Sequence, residues 1–249
     1  VDYSILATSR TPALVIYLLD VSVSMTQPLG NKSRLAVVTD ALQMSFRQMV
    51  FRSTKGSRVS PRYRVALYAY SDHVYDLLDG PKTVDTVAAM GVPELNPQRT
   101  TETAKAFAEV EKLLQRELPS MADCPAPLVC HMTDAEYSGD DPEPVVRRIM
   151  NMAVPDGRVL VENIFINERL LGAPVTDISR WPGVLAGTEL KNSYAEKLRA
   201  ISSPLPASYR AMIQEYNVHL ADGALMMLPG ESAELVALGF QMSAATPVR

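Results

Sequence analysis

Two apolar runs in this chain each end on an aspartate. The first, Leu14-Val15-Ile16-Tyr17-Leu18-Leu19, leads directly into Asp20-Val21-Ser22-Val23-Ser24. One carboxylate and two hydroxyls at alternate positions of a tight turn set three oxygen donors on one side of a loop. That donor set suits a hard divalent cation. The plainer use of the same residues is to cap a turn or helix, since Asp and Ser side chains bond nearby backbone groups. The second run is Val129-Cys130-His131-Met132-Thr133-Asp134. Between the two, Thr100-Thr101-Glu102-Thr103 forms a hydroxyl-rich opening to a helical stretch.

These residues need rigid elements to bring them together, and the pattern around them supplies candidates. The run from Leu14 to Leu19 is apolar at every position, as in a central strand covered on both faces. A helix is predicted from Arg34 to Phe51, with Leu35, Val38, Leu42, Phe46 and Met49 on one face and Ser33 as its N-cap. Tyr63 to Tyr70 reads as a strand, with Val74 to Leu78 as a hairpin partner. Thr103 to Leu118 reads as a second amphipathic helix. Leu128 to Met132 is the next strand. Asp141 and Pro142 then supply an N-cap and a first-turn proline for a helix to about Met152. A strand at Val159 to Ile166, helices at Asn192 to Ile201 and Pro206 to Tyr216, a strand at Ala224 to Leu228 and a helix at Ser232 to Met242 complete the chain. Residues 167–190 show no period and carry Gly and Pro, so they read as an insertion or long loop within one domain spanning 1–249. Strands alternating with helices predict an α/β fold: a doubly wound, mostly parallel sheet flanked by helices, with working residues at the carboxyl ends of the strands.

The 249 residues carry 24 Lys plus Arg and 28 Asp plus Glu, a net charge of 24 − 28 = −4. That balance argues against a broad basic nucleic-acid footprint. A hydrophobic fraction of 47% with 21% charged residues is that of a folded chain. Two cysteines, Cys124 and Cys130, make neither a disulfide framework nor a four-ligand zinc site. No apolar stretch reaches the length of a membrane span. No basic region followed by an apolar block opens the sequence, so a cytoplasmic location is expected. The P-loop and the Gly-x-Ser-x-Gly elbow do not occur. His131 lies inside a strand and reads as a core residue; His73 and His219 read as solvated or capping groups.

Together the three hydroxyl- and carboxylate-bearing segments resemble the von Willebrand factor type A (vWA) domain. That family carries a metal-ion-dependent adhesion site made of Asp-x-Ser-x-Ser, a distant Thr, and an Asp after a later strand. The matching residues are Asp20, Ser22, Ser24, Thr101 and Asp134. Thr101 is preferred to Thr100 because the family pattern Gly-Thr-x-Thr-x-x-Ala-Leu then falls on Thr100, Thr101, Thr103, Ala106 and Phe107. This chain departs from the pattern at Val23, Thr100 and Ala135, where the family usually or often has Gly.

The resemblance implies Mg²⁺, or alternatively Mn²⁺ or Ca²⁺, bound through the Ser22 and Ser24 hydroxyls, with Thr101, Asp20 and Asp134 binding directly or through water. It implies a non-catalytic module whose protein partner presents an Asp or Glu to the metal. Loop residues Thr26, Gln27, Gln98, Arg99, Glu136 and Tyr137 would form the rim around that contact. The segments Lys197 to Pro204 and Gly239 to Pro247 are similar to bacterial vWA proteins of the tellurite-resistance-associated (TerY-like) type. That likeness implies an intracellular adaptor in a stress-response or signalling complex. Two other readings compete. One is a Mg²⁺-dependent phosphohydrolase of haloacid-dehalogenase type, handicapped because Ser22 stands where its second Asp is needed. The other is a secreted or surface adhesion domain.

Overall fold

A computed structural model describes residues 3–248. Its centre is a seven-stranded sheet made of β1 (Ala13–Asp20), β2 (Tyr63–Tyr70), β3 (Val74–Asp76), β4 (Lys82–Thr83), β5 (Leu128–Thr133), β6 (Leu160–Phe165) and β7 (Met227–Pro229). The spatial order is β7-β6-β5-β1-β2-β3, with β4 also on β2. β1 pairs in parallel with β2 and β5, and β6 in parallel with β5 and β7. Only the short β3 and β4 run antiparallel, both against β2. All eight residues of β1 and all six of β5 are buried, which is why their sequences show no alternation.

Among the described residues seven α-helices flank the sheet: α1 (Arg34–Arg52), α2 (Val84–Met90), α3 (Thr103–Glu117), α4 (Glu143–Asn151), α5 (Ser193–Ala200), α6 (Ala207–Gln214) and α7 (Ala233–Ser243). On one face Tyr17 of β1 stacks on Phe240 of α7 and meets Phe46 of α1 edge-on. Gly239 lets α7 lie close to β6, since a Cβ there would meet Ile164 Cδ1 at 2.5 Å. On the other face Phe107 of α3 packs edge-on against His131 of β5.

The chain builds outward from β1 to β2 and β3, then returns to the other side of β1 with β5. The strand order therefore reverses between β1 and β5, and the crevice beyond their carboxyl ends is where such sheets place their sites. The register pairs Leu19 with Met132, so Asp20 and Thr133 leave the sheet side by side.

The element reading holds in order and differs in detail. The Ser33 N-cap is present, its hydroxyl accepting from Ala36 N at 3.1 Å. α4 starts at Glu143, with Pro142 as N-cap and the Asp141 carboxylate accepting from Glu143 N at 2.9 Å. The last strand is Met227–Pro229, because residues before it turn sideways: Met226 N donates to Ser203 O, and Leu225 bridges Pro204. α2 and β4 had no distinct sequence signal; only Val84 and Val87 of α2 are buried. Within 167–190, Leu170, Leu171, Trp181 and Val184 are buried, and Glu231 Oε1 accepts from both Leu170 N and Leu171 N.

Candidate metal centre

Asp20 is the last residue of β1 and is wholly buried. Its two oxygens have different tasks. Oδ1 accepts from Ser22 N at 2.7 Å, which bends the chain sharply after the strand. Oδ2 accepts from the Thr133 hydroxyl at 2.6 Å, which ties the end of β1 to the end of β5. Burial pushes the Asp20 carboxyl up to about 6; the Thr133 and Ser22 bonds oppose that rise, and the Asp134 charge adds to it.

The turn that Asp20 fixes presents Ser22 and Ser24 on one side. Their hydroxyl oxygens lie 2.9 Å apart. Asp134 Oδ1 lies 2.6 Å from Ser24 Oγ and 3.5 Å from Ser22 Oγ. Three oxygens thus form a small triangle at the carboxyl ends of β1 and β5. Neighbouring ligands of an octahedral ion bound at about 2.0–2.1 Å are separated by about 2.9 Å. One edge of the triangle, 2.9 Å, has that length, while the others are 2.6 and 3.5 Å, so the oxygen donor set suits Mg²⁺ or a similar ion once the side chains adjust. Asp20 braces the site, with Oδ1 engaged by the turn and Oδ2 by Thr133 of β5.

Thr101 is buried on the neighbouring loop. The loop is drawn in by Gln98 N donating to Val21 O at 2.7 Å and by a bridge between Ser22 and Gln98. Thr101 O accepts from Ser138 N at 2.8 Å, and Thr101 N donates to Ser138 Oγ at 3.3 Å. These bonds tie the Thr101 loop to the turn after β1 and to the loop after β5. Its hydroxyl makes no hydrogen bond to the other four residues.

Arg34, which the sequence reading did not single out, reaches the same place. As first residue of α1 it donates N–H to Gln27 O at 2.9 Å. Gly30, at φ +65°, closes the two-stranded turn Pro28–Leu29/Lys32–Ser33 that delivers it. Arg34 Nη1 then donates to Asp134 Oδ2 at 2.7 Å, and the Asp134 side chain is wholly buried. A basic residue at a helix start signals nothing locally; its partner stands 100 positions away.

The rim residues differ in freedom. Thr26, Gln27, Arg99 and Glu136 are exposed, and Gln98 is half-buried against Ser22. Tyr137 is half-buried: its ring meets Tyr194 edge-on, and its hydroxyl accepts from Lys197 Nζ at 3.1 Å. Val23, where the family has Gly, points outward and is 56% exposed, adding an apolar group beside the turn.

Beneath the strand ends, Tyr70, His131 and Asn163 form a buried chain across three strands. Tyr70 Oη lies 2.7 Å from His131 Nε2, and His131 Nδ1 lies 2.8 Å from Asn163 Oδ1. An amide oxygen only accepts, so Nδ1 donates to it and Nε2 accepts from the tyrosine. Burial pushes the His131 imidazole down to about 4, so the ring is neutral and structural.

A mostly parallel sheet with helices on both faces and oxygen donors at its switch point defines the class. The family model described as von Willebrand factor type A domain matches residues 15–134, and the chain carries a vWA domain there. Domains of this kind generally mediate protein–protein interactions. Solved structures of similar fold include a D319A mutant of the PilB minor pilin from Streptococcus sanguinis, 11% identical, with TM-score 0.55 over 92% of this chain and 60% of that one. The vWF domain of the type V pili tip protein Mfa5 from Porphyromonas gingivalis is 20% identical, with TM-score 0.40 over 51% of this chain and 39% of that one. The SpRpn10 VWA domain is 14% identical, with TM-score 0.43 over 63% of this chain and 76% of that one. The chain thus spans less than two thirds of the pilin and Mfa5 chains. No curated protein matches it in sequence. Among the described residues no helix is long and apolar enough to cross a membrane.

Proposed function

We propose that this chain is a metal-dependent protein-binding module. A divalent cation, Mg²⁺ first and Mn²⁺ or Ca²⁺ as alternatives, is held by Ser22, Ser24 and Asp134, with Asp20 bracing the turn and Thr101 supplying a further oxygen. The observation that carries this reading is the oxygen triangle with separations of 2.9, 2.6 and 3.5 Å at the strand ends. When bound, the ion supplies an electrophilic position that an Asp or Glu of a protein partner completes, a charge-assisted contact. The chain's own residues orient that contact. Asp20 holds the turn, Thr133 locks Asp20, and the exposed Thr26, Gln27, Arg99 and Glu136 with half-buried Gln98 and Tyr137 form the selecting rim.

A non-catalytic role is supported by the engagement of Asp20. A phosphohydrolase of haloacid-dehalogenase type needs a free carboxylate oxygen as nucleophile and a second acid two residues later. Here both Asp20 oxygens accept hydrogen bonds, and the later position is Ser22. Placement as a cytoplasmic adaptor in a stress-response or signalling complex rests on the TerY-like resemblance of the C-terminal segments; a surface adhesion domain would use the same site.

Titration calorimetry with Mg²⁺ and Mn²⁺ tests the proposal. Wild type should bind, while Asp20→Ala and Ser22→Ala should give no heat and retain the folded circular dichroism spectrum. Binding unchanged in both variants would remove the site. Phosphatase assays with Mg²⁺ should stay at background; turnover lost on Asp20→Asn would favour the hydrolase.

A further inference from the structure

We infer that Arg34 is a tethered cation that weakens the metal site toward its ion and leaves the loaded site electropositive toward an acidic partner. The inference rests on the metal-binding reading above and concerns how that site is regulated.

Asp134 offers its two oxygens to different tasks. Oδ1 faces the Ser22 and Ser24 hydroxyls, while Oδ2 is taken by Arg34 Nη1 at 2.7 Å. The ion pair is nearly dry, with the Arg34 side chain 17% exposed and that of Asp134 wholly buried. A guanidinium stays protonated at any working pH, so this positive charge is permanent. In a poorly solvated setting it repels an incoming dication far more than an exposed arginine would. It also draws electron density from the one charged side chain in the oxygen triangle.

The formal charges give the second half of the inference. With both carboxylates ionised, Asp20, Asp134 and Arg34 sum to −1 − 1 + 1 = −1. A dication brings the site to +1, and a partner carboxylate returns it to zero. Without Arg34 the loaded site would already be neutral, and the partner's carboxylate would gain less. By linkage, a partner that gains from the loaded ion tightens that ion by the same factor. The change on loading is +2 with or without Arg34, so the coupling between ion and partner is unchanged; Arg34 weakens the ion and favours the partner.

Calorimetric Mg²⁺ titrations of wild type, Arg34→Gln and Arg34→Lys, paired with thermal melts in chelator and in Mg²⁺, test this. Arg34→Gln should bind Mg²⁺ about tenfold more tightly than wild type. It should melt lower in chelator, where Asp134 loses its counter-charge, and show a larger Mg²⁺-induced rise. Arg34→Lys retains the charge and should stay within about threefold of wild type, separating charge from packing. Binding by Arg34→Gln with wild type silent supports the inference in its strongest form. Equal or weaker binding in Arg34→Gln, or a Lys variant that follows Gln, overturns it and leaves the metal reading standing. Absence of binding and of any melting shift in all three proteins overturns both.

Discussion

The chain buries two carboxylates in strands of the same sheet, and they have opposite surroundings. Asp20 ends β1 and accepts a backbone N–H from Ser22 and a hydroxyl from Thr133. Glu162 lies in the middle of β6, and neither of its oxygens has a hydrogen-bond partner. The donor group facing it is the Cys130 thiol, a weak one. Burial raises both groups. Asp20 stops at about 6, while Glu162 goes well above the ordinary range. Burial alone therefore makes a carboxyl neutral; donors aimed at it are what keep it available as an anion. That separates a carboxylate able to brace a cation site from one that is only a polar group in a core.

The His131 chain gives the comparison its third point, a buried polar group satisfied on both sides. The largest effect on stability should come from breaking it. His131→Leu would leave the Tyr70 hydroxyl without its imidazole acceptor and Asn163 Oδ1 without its donor. At about 1–3 kcal/mol for each of the two orphaned groups, the expected loss is about 2–6 kcal/mol in urea unfolding. Tyr70 Oη also lies 3.3 Å from Thr103 Oγ1, which favours the lower end. A loss under about 1 kcal/mol would mean that satisfaction of these groups matters little here.

Glu162 predicts the reverse sign. Glu162→Met keeps the volume and removes two unpartnered oxygens, so stability at neutral pH should rise by about 1–3 kcal/mol. The pH dependence sharpens this. With a raised pKa, native Glu162 keeps a proton that the unfolded chain has released, so stability falls as pH climbs above the ordinary glutamate range. Asp20 contributes the same sign only up to about 6. His131, lowered to about 4, contributes the opposite sign below the ordinary imidazole value of 6.5. Above pH 6.5 the remaining slope of these three belongs to Glu162. In chelator, wild type should lose stability as pH rises from 6.5, by no more than about 1.4 kcal/mol per pH unit, and Glu162→Gln should lose less. Matching slopes in the two proteins would assign the effect elsewhere.

The same contrast explains what could be read from the sequence. Asp20, Ser22 and Ser24 are contiguous, and the strand before them is apolar throughout, so a carboxylate with hydroxyls at a strand end was legible. Asp134 was legible for the same reason. Ser33 was legible as a cap because capping acts within three residues. Arg34 was not, because its role exists only once α1 and β5 are packed together. Glu162 and Asn163 sat inside a run that reads as strand, and nothing local tells a partnered buried polar residue from an unpartnered one. α2 was missed because seven residues with two buried valines give no period. The strand order, which makes the β1–β5 crevice, follows from pairing over long sequence separations and not from any one segment.

The smallest and most selective prediction moves Asp20 toward the condition of Glu162. Thr133→Val deletes the hydroxyl that donates to Asp20 Oδ2 at 2.6 Å and keeps the shape of a buried, β-branched strand residue. The same hydroxyl lies 3.0 Å from Ala135 O and accepts from Ala135 N at 3.3 Å, so the turn into Asp134 also loosens. A hydrogen bond to a charged group contributes about 1.5–3 kcal/mol, and the added apolar burial of valine offsets part of it. The expected net loss is about 1–2 kcal/mol at pH 7.5 in chelator. With one donor gone, Asp20 should hold its proton to higher pH, so Mg²⁺ affinity should fall more steeply on acidification than in wild type. Calorimetric titrations at pH 6.0, 7.0 and 8.0 read that slope directly. Loss of stability with an unchanged pH slope would assign Thr133 to packing alone. An unchanged protein on both counts would mean that Ser22 N–H suffices to hold Asp20, and that the tie between the ends of β1 and β5 is carried by the sheet.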